Sequence, residues 1–421
     1  RTVHTGLLEY KNVYRPARVI SYDKESGELV LHNYMDFDNL KDYVKISYEL
    51  TQDGLLIGKG KLAEVSVVPH SEGKTNLQVN VPENGKCYLK LTYHLKKEMP
   101  LLEEDYILGF DEIEVSQKDA KCQLAEKWVE KTVTDSELQV SEDDTQIHIK
   151  GREFAYTIDR RTALFTEMKF AGREYLNHPM ELNIWRAPTD NDMYIKSEWK
   201  KAHYDKAYTR AYTTEVVQGK HGVKITSHAS VVAETVQKIL DVTITWKIEA
   251  AGKIDADIAV TKDDEFPDLP RFGVRMFLDK KLSAARYFGM GPQESYCDKH
   301  QAASHGLYQA NVDDLHEDYI RPQENGSHYD CEYVELNNSR YGIVVSAENA
   351  FSFNASYYTQ EELEKKTHNY ELTESDSVVF CVDYALNGIG SNSCGPVVLE
   401  QYRFDDVLFR FQFTLIPYVK G

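Results

Sequence analysis

Cys87, Leu89, Leu91, Tyr93 and Leu95 take every second position of one short stretch, with Tyr88, Lys90, Thr92 and His94 between them. Successive side chains of a strand point to opposite faces, so this period fits a half-buried strand and not a helix. The same pattern returns in Val44, Ile46, Tyr48 and Leu50, in Val242, Ile244, Trp246 and Ile248, and in Ile254, Ala256, Ile258 and Val260. Turn signals such as Glu25-Ser26-Gly27 and Glu83-Asn84-Gly85 recur between such runs. Many short alternating strands with frequent turns predict packed antiparallel sandwiches. No β–α alternation appears, which excludes a TIM barrel within these residues. Helical signals are few. Thr359-Gln360-Glu361-Glu362 reads as a capping box ahead of a short helix near residues 363–367.

Length and composition narrow the answer further. A chain of 421 residues with 42% apolar residues can bury full cores in two or three domains. The charge of −19, from 68 acidic and 49 basic residues, without a basic stripe argues against nucleic acid or an anionic membrane as partner. No apolar run approaches the roughly 20 residues of a membrane-spanning helix. Six cysteines lie far apart and none forms a Cys-x-x-Cys pair. The expectation is free thiols, with no disulfide framework and no metal site. The opening Arg1-Thr2-Val3 reads as an internal point of a longer protein. Localisation is therefore unreadable from this end; bacterial cytoplasm and periplasm both fit.

Residues 116–145 are rich in Asp, Glu, Lys, Ser and Thr, the composition of a connecting segment. The expected division is a first sandwich over 1–116, a linker over 117–139 and a larger all-β unit over 140–421.

The densest polar cluster is Asn183-Ile184-Trp185-Arg186-Ala187-Pro188-Thr189-Asp190-Asn191-Asp192. Asp and Asn beside Pro favour turns, because their short side chains bond nearby backbone groups. Arg186 can pair with a carboxylate of the same turn in planar geometry. Trp185, Arg186, Asp190, Asn191 and Asp192 are thus either a self-satisfied structural turn or a contact to another domain. Gly289-Met290-Gly291-Pro292 allows a tight connection but lacks the Lys-Ser/Thr of a phosphate loop. Glu294 and Asp298 form a possible carboxylate pair. Glu324 and Asn325 read first as turn residues, although both are planar partners for sugar hydroxyls. His300, His305, His316, His328 and His368 are scattered and read as surface or core-satisfied residues.

Several of these segments resemble one family in order along the chain. The Trp185–Asp192 string is similar to the Trp-Arg-Ala-Pro-Thr-Asp-Asn-Asp signature of the C-terminal domain of large bacterial β-galactosidases. Phe154-Ala155-Tyr156-Thr157-Ile158-Asp159 resembles the strand that opens their small-chain domain. Leu269-Pro270-Arg271-Phe272-Gly273, Gly289-Met290-Gly291-Pro292-Gln293-Glu294-Ser295-Tyr296 and Tyr319-Ile320-Arg321-Pro322-Gln323-Glu324-Asn325-Gly326 resemble further family segments. Gly388-Ile389-Gly390-Ser391-Asn392-Ser393-Cys394-Gly395-Pro396 resembles the last active-site loop, and Gly6-Leu7-Leu8-Glu9-Tyr10-Lys11 the segment that leaves the catalytic barrel.

The resemblance implies an all-β chain: an immunoglobulin-like sandwich (domain 4 of the family) followed by a galactose-mutarotase-like antiparallel supersandwich (domain 5, the small-chain domain). It implies that Asn392 and Cys394 lie at the substrate rim. Some relatives carry an aromatic residue at the Cys394 position, and a thiol offers a sugar much less stacking area. No catalytic residue is expected here, because glycoside hydrolysis uses two carboxyl groups and the family keeps both in its barrel. The implied partners are a galactoside such as lactose, the catalytic barrel and further copies in a homo-oligomer. The chain itself is expected to hold no cofactor, with Mg and Na belonging to the barrel. The presence of the first sandwich favours part of a single-chain enzyme over a natural small chain. The alternative is a stand-alone carbohydrate-binding or mutarotase-like domain.

Overall fold

In the computed structural model, alternation becomes antiparallel sheet throughout. The structure describes residues 3–129, 138–390 and 395–420. It divides into two units: Arg1–Leu124 with Met290–Gln293 and His300–Tyr308, and Ala125–Gly289 with Glu294–Lys299 and Gln309–Gly421.

The first unit is a sandwich. One sheet orders Ala17–Tyr22, Glu28–Asn33 and Glu72–Asn76; the other orders Leu55–Lys61, Val44–Gln52, Cys87–Leu95 and Ile107–Glu114. Leu29 and Leu31 of the first sheet share one core with Leu89, Leu91 and Tyr93 of the second. Gly27 and Gly85 take φ of +73° and +77° in the turns where the sequence places them, a conformation in which a Cβ is strained.

One residue departs from the alternation. Tyr88 belongs by period to the outer face, yet it is only 6% exposed. His305 stacks on its ring, with centroids 4.0 Å apart and planes 8° apart. Glu112 fixes that imidazole, its carboxylate lying 2.7 Å from Nδ1. Lys90, on the same outer face, donates to the Ser304 hydroxyl at 2.9 Å. Burial pushes its pKa down, against the pull of Glu112. The stretch His300–Tyr308 therefore covers a face that local periodicity assigns to water.

The second unit is built on a twelve-stranded sheet. Its main path runs Leu176–Asn183, Arg271–Asp279, Ser377–Leu386, Tyr341–Ser356, Leu408–Val419, Ile254–Lys262, Leu240–Glu249, Gly222–Val232 and Tyr208–Gln218. A five-stranded sheet over residues 139–174 packs on it. Phe165 meets the fully buried Trp246 edge to face, centroids 4.9 Å apart. The Trp246 indole donates to the Ala163 carbonyl at 2.8 Å. Truncating such a ring costs roughly 3–5 kcal/mol. The fold is all-β, an immunoglobulin-like sandwich followed by an antiparallel supersandwich.

Helices among the described residues are short, and none is long and apolar enough to cross a membrane. Thr359 caps one of them, its hydroxyl accepting from the Glu362 amide at 3.1 Å. That helix spans Gln360–Lys365, starting and ending earlier than the sequence suggests. Its end is set by Glu371, which captures the Thr367 and His368 amides at 2.9 and 3.1 Å. Within the polar stretch 117–139, Trp128 is not solvated as a linker residue would be. Its indole donates to the Tyr333 hydroxyl at 3.2 Å, and its ring lies 4.1 Å from that of Tyr418. The five described cysteines are free.

Candidate functional site

The strand Leu176–Asn183 ends five residues before Pro188 and delivers the chain into the polar turn. Thr189 then caps a single 3-10 turn, Asp190–Asp192. The Asp192 carboxylate accepts from the Thr189 amide at 2.8 Å and from its hydroxyl at 3.1 Å. Arg186 is fully buried and meets the same carboxylate at 2.7 and 3.3 Å. Its remaining N–H groups donate to the Asn387 and Gly388 carbonyls, the latter at 3.2 Å. The guanidinium also lies 5.2 Å from the centre of the Trp199 ring. A buried charge without such partners would cost several kcal/mol.

The other motif segments converge on this turn, although the sequence scatters them over some 200 positions. Asn191 donates to the Ile389 carbonyl at 2.6 Å. Asp298 accepts from the Ile389 and Gly390 amides at 3.0 and 2.7 Å. Asp190 exchanges hydrogen bonds with the Gln323 side chain, and the Glu324 amide donates to the Ala187 carbonyl at 3.0 Å. The base of the loop after Asn387 is thus gripped from two sides, by Arg186 with Asn191 and by Asp298.

Beneath the turn lies a charge network. Arg271 is fully buried and pairs in two-pronged fashion with Asp383 at 2.6 and 3.1 Å. Its third nitrogen reaches Glu324 only at 3.3 and 3.5 Å. Burial pushes the carboxyls of Glu324 and Asp383 above their ordinary values, against the pull of Arg271. Glu294 behaves oppositely. Burial works against its charge, but Lys299, the Tyr319 hydroxyl and the Gly326 amide outweigh it and hold its pKa low. The Gly326 N–H donates to the Glu294 carboxylate at 2.8 Å.

Of the residues singled out from sequence, Arg186 and Asn191 bond the 387–390 segment and Asp192 joins them through Arg186, whereas Asp190 bonds Gln323 instead. Trp185 is 4% exposed and its indole reaches Glu364 at 3.2 Å. Glu294 and Asp298 are not a carboxylate pair: each is committed to different partners. Asn325 serves as a turn residue, its oxygen accepting from the Glu317 amide at 3.0 Å. Asn392 and Cys394 lie outside the described residues. Among the described residues, no cluster of three or more His, Cys, Asp or Glu side chains is placed to hold a metal ion. Sequence reasoning missed Asp383, Lys299 and Asn387. Asp383 carried a usable signal, an acid inside the apolar run Val378-Val379-Phe380-Cys381-Val382.

The profile of the beta galactosidase small chain family matches residues 150–415, and that of beta-galactosidase domain 4 matches residues 29–116. The first match alone spans more than half of the chain. This chain belongs to the β-galactosidase small-chain family. Among curated relatives, a beta-galactosidase of Actinobacillus pleuropneumoniae is 42% identical over 99% of the chain and 40% of its own length. One from Staphylococcus xylosus is 30% identical over 99% of the chain and 41% of its own length. The chain therefore spans about two-fifths of these β-galactosidases. A solved galactose 1-epimerase from Lactobacillus acidophilus NCFM overlaps 69% of the chain and 100% of its own, at 8% identity and a TM-score of 0.36.

Proposed function

We propose that these residues work as the C-terminal, non-barrel part of a β-galactosidase that hydrolyses terminal β-D-galactosides such as lactose. Hydrolysis needs two carboxyl groups on either side of the glycosidic bond. In this reading both are supplied by a catalytic barrel, together with any Mg and Na. The chain completes the rim of the active site through the 388–396 loop, with Asn392 and Cys394 facing the substrate, and supports a homo-oligomer.

The observation that carries the reading is the grip on the loop base. Arg186, Asn191 and Asp298 spend five hydrogen bonds on the backbone of residues 387–390. A segment held this firmly is a rigid root, and binding residues usually sit on loops carried by a rigid scaffold.

The test is to assay the pure chain on a chromogenic β-galactoside, alone and after mixing with the barrel-containing remainder of the enzyme. The expected result is no turnover alone and turnover on mixing. Hydrolysis by the chain alone would place the acids within it and overturn the reading. In the complete enzyme, Cys394→Trp is expected to alter KM more than stability, by adding a stacking surface.

A further inference from the structure

A second place in the same unit has the chemistry of a sugar site. A cavity of about 310 Å3 is lined by the middle of the strand Tyr341–Ser356, the end of Ser377–Leu386 and the segment 401–406. That volume is at the lower end for small-molecule sites, enough for one ring but not for a chain of residues.

Its wall is an aromatic platform. Tyr384 is half-buried, and its ring stacks on Phe409 with centroids 4.9 Å apart and planes 16° apart. Phe404 backs the same ring at 5.8 Å. A ring held from behind presents its other face at little entropic cost. Apolar C–H faces of pyranose rings suit such a face, while sugar hydroxyls need planar polar partners around it.

Those partners line the cavity. Gln401, Arg403, Asp406 and Asp330 are among them. The Tyr384 and Tyr402 hydroxyls make no hydrogen bond among the described residues. Asp406 has no ion pair there either, and burial with the neighbouring Asp405 pushes its pKa up. Asp330 takes a φ of +54° within a bulged stretch, where the register of Ser327–Asn337 slips between His328 and Cys331. Strained bulges of this kind re-aim side chains beside binding sites. Two carboxylates against one guanidinium make the cavity unsuited to phosphates and other anions.

We propose that this cavity binds one neutral pyranose unit, with Tyr384 as the stacking platform and Tyr402 and Asp406 as hydroxyl partners. The proposal does not depend on the rim reading, because it uses no residue of the 388–396 loop.

The experiment is saturation-transfer NMR on the full 421-residue chain with methyl β-D-galactopyranoside and methyl β-D-glucopyranoside, repeated for Tyr384→Ala, Tyr384→Trp and Asp406→Ala. A single stacked ring with a few hydrogen bonds should bind at about millimolar Kd, and Tyr384→Ala and Asp406→Ala should each weaken it about tenfold or more. Tyr384→Trp should retain binding. Asp406 is exposed, so its replacement leaves the core intact should Tyr384→Ala fail to fold. No saturation transfer from either glycoside at about 100 mM would overturn the proposal, since even weak Kd values register there. Transfer that persists undiminished in both alanine variants would also overturn it, because the sugar would then sit elsewhere. Neither result bears on complementation by the barrel, which tests the rim reading separately.

Discussion

Arg186 holds Asp192 with one edge of its guanidinium and the carbonyls of Asn387 and Gly388 with the other. One fully buried cation thus closes a turn and fastens it to a loop about 200 positions away. Arg186→Ala should cost about 3–5 kcal/mol, the usual penalty for stranding one member of a buried pair. Arg186→Lys should also destabilise, because an ammonium cannot fork between a carboxylate and two carbonyls. Urea unfolding of the chain measures both. A loss below about 1 kcal/mol for the alanine variant would mean that the grip is not what holds the turn.

The network beneath the turn separates two acids by geometry. Asp383 takes both prongs of Arg271, whereas Glu324 meets only a third nitrogen at longer range. Asp383→Asn should therefore cost roughly 3–5 kcal/mol, and Glu324→Gln less than about 1 kcal/mol. The pH dependence follows from the raised pKa of Glu324. Between its unfolded and folded values the native state keeps a proton that the unfolded chain has lost. Stability from this group consequently falls as pH rises through that window, from about pH 4 upward. Glu324→Gln should make the slope of stability against pH less negative there. An unchanged slope, measured by urea midpoints at several pH values, would count against a strained buried acid.

How much of this was legible in the sequence depended on distance along the chain. Period two sufficed for Leu89, Leu91, Trp246 and Ile258, because a strand's two faces are written locally. The Arg186–Asp192 pair was legible because both members lie in one turn. Period two puts Tyr88 on the solvent face, yet it is buried, since the His305 ring that covers it comes from far downstream. Asp383 stands out locally as an acid in an apolar run, but its partner, Arg271, is 112 positions away and cannot be read from it. Antiparallel pairing brings such residues together, and nothing local announces which strands will be neighbours. The family motifs marked where the site segments lie but not which side chains hold them together.

Glu294 titrates with the opposite sign. Its pKa is held low by Lys299, Tyr319 and the Gly326 amide, despite its burial. The stability it contributes is present above its unfolded pKa and disappears as pH falls through the folded value. Glu294→Gln should be destabilising at pH 7, with the difference from the native sequence shrinking toward zero as pH falls below about 4. Tyr319→Phe should move the acid limb of the native profile upward, because one donor to the carboxylate is lost. Thermal unfolding across the acid range measures both, and a constant penalty for Glu294→Gln at all pH values would show that its charge is not what stabilises.

Gly273 closes the Leu-Pro-Arg-Phe-Gly segment for a steric reason. A Cβ there would lie 2.2 Å from the Val382 carbonyl oxygen and 2.4 Å from an Asp383 carboxylate oxygen. The strands pair here through a register shift between Phe272 and Gly273. Gly273→Ala must therefore push Asp383 away from Arg271 or part the strands, and either should cost more than the ~1–3 kcal/mol typical of overpacking.

The final prediction concerns Asp298, which accepts from two successive amides at the root of the proposed rim loop. It is half-buried and belongs to neither charge network, so its loss should touch the loop more than the core. Hydrogen bonds to a charged acceptor contribute about 1.5–3 kcal/mol each. In Asp298→Ala the Ile389 and Gly390 amides should exchange with deuterium markedly faster, while the Trp246 core keeps its protection. If the proposed rim role holds, in the complete enzyme the same change should raise KM several-fold with a smaller effect on kcat, because it loosens that loop and leaves the reacting carboxylates in place. Asp298→Asn should fall between, since its amide oxygen still accepts but carries no charge. If exchange at residues 389–390 and KM both stay unchanged, the loop is held by Arg186 and Asn191 alone and Asp298 is dispensable to it.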